Sequence, residues 1–242
     1  MSTCALVTGA ASGIGRAVVD RFRVDESLDH VAAFDVDSTV QTVFDDDDVS
    51  TYDVDVRDHE AVHEAVDDIE NKHNITALVN NAAVSRYVWL GDLTPEEWHE
   101  VIDINLTGQY NIAHAVGPRM FEREEGAIVN ISSTAGQRGS ASAGVHYSAS
   151  KAGIFGLTKG LAKQLAPSVK VNCVVPGLID TPLVTDSDLW SDEELAAFID
   201  RLPTNRLGEP DEVARVVHFL CGEGSAYMTG SVVNVDGGSG LV

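Results

Sequence analysis

The chain has 242 residues, 44% of them hydrophobic, and carries 38 acidic against 16 basic side chains for a net charge of −22 at pH 7. That acidic excess repels phosphate backbones and anionic headgroups, which argues against nucleic acid or a membrane surface as partner. No apolar run approaches the ~20 residues of a membrane span, and three cysteines without C-x-x-C spacing, Cys4, Cys173 and Cys221, support neither a disulfide framework nor a zinc site.

The first apolar strand, Cys4–Val7, begins too close to Met1 to leave room for a signal peptide, so a cytoplasmic protein is expected. Directly after it comes Thr8-Gly9-Ala-Ala-Ser12-Gly13-Ile14-Gly15, opening a helix from Arg16 to Phe22. A glycine cluster between strand and helix permits a tight turn and lets backbone N–H groups at the helix N-terminus approach a pyrophosphate. A second strand, Val31–Phe34, ends in Asp35, twenty residues after Gly15. A carboxylate there accepts hydrogen bonds from an adenosine 2′-hydroxyl and repels a 2′-phosphate, so NAD is expected in preference to NADP.

The run Asp45–Asp48 lacks the spaced ligands and glycine of a calcium loop and reads as a solvated connection. A third strand is expected over Ser50–Val56. An amphipathic helix over Asp58–Lys72 follows, with Ala61, Val62, Ala65, Val66 and Ile69 on its apolar face. His59 and His63 stand at i,i+4 on that helix; with no third ligand nearby they read as a solvent-facing pair, and no metal is expected. The fourth strand, Ile75–Val79, ends in Asn80-Asn81-Ala82-Ala83. Thr94-Pro95-Glu96-Glu97 then supplies an N-cap, a proline at the first helical position and a capping-box glutamate for a helix running through Asn105 to about Met120. Asn105, a poor helix former in an apolar stretch, is either a hydrogen-bonded kink residue or the holder of a water.

Gly126–Ser132 reads as the fifth strand, with Ser132-Ser133 at its carboxyl end, the edge where ligands bind in open parallel sheets. A helix from about Tyr147 to Leu165 places Tyr147 and Lys151, four apart, on one face. Val169–Val175, ending at Pro176-Gly177, is the sixth strand and Ser231–Val235 the seventh. Without internal repeat or linker, this alternation predicts a single α/β domain over residues 1–242, a Rossmann-type doubly wound parallel sheet of seven strands with helices on both faces.

These motifs resemble the short-chain dehydrogenase/reductase family over essentially the whole chain: Thr8-Gly-x-x-x-Gly-x-Gly15, Asn80-Asn-Ala82, Asn105, Ser133, Tyr147-x-x-x-Lys151, and Pro176-Gly177 with Thr181 beyond. The ending Arg206-Leu-Gly-Glu-Pro210, then Tyr227-Met-Thr-Gly230, looks most like the branch of 3-oxoacyl reductases and many sugar, polyol and steroid dehydrogenases. The resemblance implies an oxidoreductase that interconverts a secondary alcohol and a ketone. Tyr147 would move the proton, Ser133 orient the substrate oxygen, Lys151 bind the nicotinamide ribose and lower the tyrosine pKa, and Asn105 hold a relay water. It further implies that Gly9, Ser12, Gly13, Ile14 and Gly15 bind the cofactor with Asp35, that Asp55 and Val56 flank the adenine, and that Asn81 and Ala82 lie on the adenosine side. Pro176, Gly177, Ile179 and Thr181 would lie at the nicotinamide end. A homotetramer is implied as well. Ala83 stands where the family usually has glycine, and the spacing to Tyr147 leaves Ser132 as the alternative to Ser133.

A positive charge ~4 Å from a phenol is worth about 4 kcal/mol at an effective dielectric near 20, so Lys151 with an oxidised nicotinamide is expected to lower Tyr147 by a few pKa units. The segment Leu183–Leu202, carrying Leu183, Trp190, Leu195 and Phe198, is the expected lid, with Trp89 and His146 on the opposite wall. Carrier-protein substrates would bring an acidic partner, yet Glu122-Arg-Glu-Glu125 stands where the resembling reductases place basic residues. A free small substrate (polyol, sugar or 3-hydroxyacyl type) is therefore expected over a carrier-bound one, with a 3-oxoacyl carrier-protein or CoA reductase as the alternative. A binding-only NAD sensor would be expected to lack Tyr147, Lys151 or Ser133, and all are present. Acidic surface with only five lysines also suggests a halophile, because self-repulsion is screened as the Debye length falls from ~10 Å at 0.1 M salt to ~3 Å at 1 M.

Overall fold

The computed structural model describes residues 1–44, 47–185 and 191–241. Seven strands form one sheet: β1 (Ser2–Thr8), β2 (His30–Asp35), β3 (Val49–Asp53), β4 (His73–Asn80), β5 (Ala127–Ile131), β6 (Lys170–Pro176) and β7 (Val232–Val235). Their order is β3-β2-β1-β4-β5-β6-β7, every pairing is parallel, and the order reverses between β1 and β4. Parallel strands covered on both faces have no solvent side, which is why β1, β4, β5 and β6 read as continuous apolar runs without alternation.

The helices are α1 (Gly13–Phe22), α2 (Val40–Val43), α3 (His59–Glu70), α4 (Pro95–Ile102), α5 (Gly108–Arg123), α6 (Thr134–Arg138), α7 (Gly144–Leu165), α8 (Pro182–Thr185), α9 (Asp192–Ile199) and α10 (Pro210–Cys221). On one face of the sheet, Leu6, Phe34, Leu78 and Ile128 pack against Val62 and Val66 of α3, Ile112 and Val116 of α5 and Ala162 of α7. On the other, Val7, Ala33, Val79 and Val174 meet Val18, Val19 and Phe22 of α1 and Val213, Val217 and Leu220 of α10. Arg21 of α1 and Asp211 of α10 tie that second layer together at its solvent edge.

The helix expected from Thr94 onward does start on its capping box: Glu97 N donates to Thr94 Oγ1 and Thr94 N to Glu97 Oε2. It is not a uniform α-helix, however. Residues Asp103–Thr107 widen into a π-helical turn between α4 and α5, centred on Asn105. Strand β3 ends at Asp53, shorter than expected, because the chain turns there to N-cap α3 with Asp58, which accepts from Glu60 N and Ala61 N. The three thiols are free, and burial pushes each up to about 12, as inert structural cysteines require. Residues 45 and 46 of the acidic run lie outside the described residues.

Candidate active site

The reversal of strand order opens a crevice above the carboxyl ends of β1 and β4, and glycine makes its floor possible. Gly9 and Gly13 have φ of +66° and +53°, and a Cβ on Gly15 would lie 1.9 Å from the Gly9 carbonyl oxygen. Thr8 Oγ1 accepts from the backbone N–H of both Asn81 and Ala82, while Asn81 Nδ2 donates to the carbonyls of Thr8 and Gly9, so the turn after β1 is stitched to the end of β4. Residue Ala83 enters this region without positive φ, so its methyl group leaves the backbone unstrained.

Two connected clefts lie along this edge. The first, ≈ 350 Å³, is lined by Gly9, Ser12, Gly13, Ile14, Asp35, Asp55, Val56, Asn81 and Ala82, a set the sequence assigned to the pyrophosphate and adenosine of a dinucleotide. Asp35 is oriented by accepting from Ala11 N at 2.9 Å and Asp37 N at 3.0 Å. Arg57, also in this cleft, is paired with Asp55 at 2.6 Å, and the Arg57 guanidinium holds that carboxyl below its usual value. The second cleft, ≈ 690 Å³, shares Ile14, Asn81, Thr181 and Leu183 with the first and contains Ser133, Tyr147, Lys151, Pro176, Gly177 and Ile179. Gly15 lines neither cleft; it sits beneath the turn, where only glycine fits.

At the floor of the second cleft Tyr147 and Lys151 are both buried, with Lys151 Nζ 5.7 Å from the tyrosine ring centroid and donating to Ile131 O at 3.1 Å. The paired serines divide their labour. Ser132 Oγ is turned inward and donates to Lys151 O at 2.7 Å, fastening β5 to α7. Ser133 N-caps α6, accepting from Ala135 N, which leaves its hydroxyl hydrogen for Tyr147. Burial raises the Tyr147 pKa above its usual 10, and the hydrogen bond from Ser133 opposes that rise. Burial also lowers Lys151 from 10.5 to about 8. The protein's own groups therefore do not depress Tyr147, because the ammonium is itself desolvated and the low-dielectric pocket penalises phenolate as well; the expected lowering was that of Lys151 together with an oxidised nicotinamide.

Asn105 stands behind this floor, fully buried and outside both clefts. Its Oδ1 accepts from Val84 N, and its two amide hydrogens go to Val84 O and Ser150 Oγ. Its side chain thus acts as a hydrogen-bonded kink residue, both amide hydrogens being committed. Ser150, which sequence reasoning passed over, relays this contact by donating to Tyr147 O at 2.7 Å.

The far wall also differs from expectation. Trp89 is 65% exposed and absent from the lining, and His146 is buried beside Gly144 with both ring nitrogens lacking a hydrogen-bond partner among the described residues. Ser85, Tyr87 and Ser140–Ala143 form the wall instead, because α7 begins at Gly144 and turns His146 inward. Leu183, Glu194, Phe198 and Arg201 line the mouth; Leu195 does not, and Trp190 lies outside the described residues. His59 and His63 gain a third neighbour, His114, brought over by α5 and invisible at their own sequence spacing.

Known proteins share the fold that carries this dinucleotide crevice and its Ser-Tyr-Lys floor. The family described as enoyl-(acyl carrier protein) reductase matches residues 9–240. The chain belongs to the short-chain dehydrogenase/reductase family. It is 37% identical to a 3-oxoacyl-(acyl-carrier-protein) reductase of Thermotoga maritima, covering 96% of each chain. To an acetoacetyl-CoA reductase of Shinella zoogloeoides it is 36% identical over the full length of both. Among solved structures, the ligand-free aldohexose dehydrogenase of Thermoplasma acidophilum superposes with a TM-score of 0.90 at 32% identity, covering 100% of this chain and 95% of that one. A 3-oxoacyl-(acyl-carrier-protein) reductase of Brucella melitensis with bound NAD gives 0.86 at 36%, covering 98% and 90%. The protein is accordingly an oxidoreductase that interconverts CH–OH and keto groups. Among the described residues no helix is long and apolar enough to cross a membrane.

Proposed function

We propose that this short-chain dehydrogenase/reductase is an NAD-linked reductase of 3-oxoacyl thioesters, acting on a free thioester such as a CoA ester. The observation that carries the reading is the Tyr147–Ser133–Lys151 floor at the end of a crevice continuous with the Asp35 cleft. It is supported by the similarity to 3-oxoacyl and acetoacetyl-CoA reductases, which favours the acyl thioesters, expected from sequence beside polyols and sugars, over the latter two.

Glycines with positive φ and the N-terminus of α1 fit a pyrophosphate, and Asp35 fits a ribose diol. The preference for NAD rests on Asp35 together with the pairing of Arg57 by Asp55, which neutralises the cation closest at hand for a 2′-phosphate. Bound, the reduced nicotinamide supplies the hydride. Tyr147, held protonated at neutral pH by burial, donates its Oη proton to the ketone oxygen, and Ser133 Oγ–H bonds the same oxygen. Lys151, still cationic at pH 7, faces the phenolate that remains. Asn105 acts as a positioning residue, holding Val84 and, through Ser150, the backbone of Tyr147.

The preference for a free thioester follows from charge. Arg119 and Arg123 of α5 are committed to Asp67 and Glu70, leaving the Glu122–Glu125 corner acidic towards an acidic carrier protein. Leu183, Phe198 and Arg201, at the mouth of this cleft, support a lid over it, and residues 186–190 of the expected lid lie outside the described residues. The protein works in the cytoplasm, as a homotetramer, in a halophile.

The test is reductase turnover in high-salt buffer with acetoacetyl-CoA, the same acyl group on a carrier protein, aldohexoses and polyols, with NADH or NADPH for reduction and NAD or NADP for oxidation. The proposal expects the highest kcat/KM with the CoA ester and NADH. A higher kcat/KM with an aldohexose or polyol would replace the thioester by a sugar-type substrate.

A further inference from the structure

Outside both clefts, three imidazoles meet on the α3 and α5 layer. His59 and His63 lie one turn apart on α3, and His114 comes from α5, packed alongside. Their ring centroids are 4.5, 5.3 and 5.4 Å apart, and one nitrogen from each lies within 4.8 Å of the others. The shortest approach, His63 Nε2 to His114 Nδ1, is 3.2 Å. A tetrahedral ion with metal–nitrogen bonds of ~2.0 Å has ligand edges of ~3.3 Å, so this pair already stands at coordination spacing. The third nitrogen must close by no more than about 1.5 Å, within reach of rotamer adjustment because His59 is an exposed side chain. The Arg119 guanidinium, the cation nearest His63 in effect, is ion-paired with Asp67 and so is partly neutralised where an incoming cation would sit.

We propose that His59, His63 and His114 form a surface site for one divalent transition-metal ion, with solvent in the fourth position. Three imidazoles and no carboxylate oxygen select borderline ions such as Zn²⁺, Ni²⁺ or Cu²⁺ over Mg²⁺ and Ca²⁺. Because the ligands span two helices, the bound ion clamps α3 to α5. It takes no part in the chemistry at Tyr147.

The experiment uses tag-free, full-length protein in high-salt buffer with excess Mg²⁺, conditions that screen loose cation binding to the acidic surface. Calorimetric titration with Zn²⁺ is expected to give one ion per chain, and Co²⁺ to give the visible absorption of a four-coordinate site. His114→Gln and His59→Gln, both at exposed positions, are each expected to weaken Zn²⁺ binding at least tenfold, while His73→Gln leaves it unchanged. Saturating Zn²⁺ is expected to raise the Tm of the unaltered protein by about 5 °C and that of His114→Gln by much less. Absence of saturable one-to-one binding, or an affinity unchanged in His114→Gln and His59→Gln, would mean that the imidazoles only hydrogen-bond one another and would overturn the proposal.

Discussion

Replacing Lys151 by methionine is expected to abolish turnover and yet make the protein more stable. The lysine is fully buried, and burial holds its ammonium at about 8 against an ordinary 10.5. That gap corresponds to about 3 kcal/mol of penalty carried by the folded state at neutral pH. Below pH 8 both states keep the proton and the whole penalty stands. Between pH 8 and 10.5 the unfolded chain binds one proton more than the folded one, so the contribution of Lys151 to stability rises with pH across that window. Methionine preserves the apolar stem but loses the charged bond from Nζ to Ile131 O, worth about 2 kcal/mol. That carbonyl remains satisfied by Gln109 Nε2 at 3.2 Å. The net expectation is a gain of about 1 kcal/mol at pH 7, or about 3 °C in Tm for a chain of this size. The gain should shrink and then reverse by pH 10.5. Urea denaturation of both proteins from pH 7 to 10.5 measures it, and the three thiols, raised to about 12 in the fold, nearly cancel in the difference. A methionine variant less stable than its parent at pH 7, or a difference flat with pH, would refute the reasoning.

Other expectations are simpler to state. Asn105→Ala orphans the N–H and C=O of Val84 and removes the donor to Ser150 Oγ, which keeps its own bond to Tyr147 O, and should lower stability by about 3 kcal/mol in denaturant titration; a loss under about 1 kcal/mol would show that solvent replaces those bonds. Asp35→Asn keeps an acceptor for Ala11 N but removes the charge, so the ratio of kcat/KM for NADPH over NADH should rise about tenfold or more, and an unchanged ratio would place cofactor choice elsewhere. Raising NaCl from ~0.1 M to ~2 M should raise the Tm by screening a net charge of −22, whereas a flat or falling Tm would remove the halophilic reading.

The sheet was legible because parallel strands buried on both faces advertise themselves as short apolar runs, and the ligand edge because glycines, Asp35 and the paired asparagines mark strand ends. What escaped notice depended on contacts between distant residues. The π-helical turn at Asn105 exists because that amide reaches Val84 and Ser150, neither a sequence neighbour. Choosing between Ser132 and Ser133 required knowing that one hydroxyl points at the backbone of α7. His114 joins His59 and His63 only through helix packing. Two helices could have been found from local signals: Ser191-x-x-Glu194 is a capping box for α9, and Pro210 followed by Val213, Ala214, Val217 and Leu220 is a helix start with an apolar stripe. The share of the Tyr147 shift that the fold itself sets was not legible, because it depends on a pocket that desolvates phenol and ammonium alike.

The central claim, that Tyr147 delivers the proton to a ketone at the end of an NAD crevice, is tested most directly by Tyr147→Phe, comparing acetoacetyl-CoA reduction by NADH with NADH binding followed by its fluorescence. The account predicts a fall in kcat of roughly a thousandfold with NADH affinity nearly unchanged. Turnover within about tenfold of the parent protein would contradict it and assign the proton to another group.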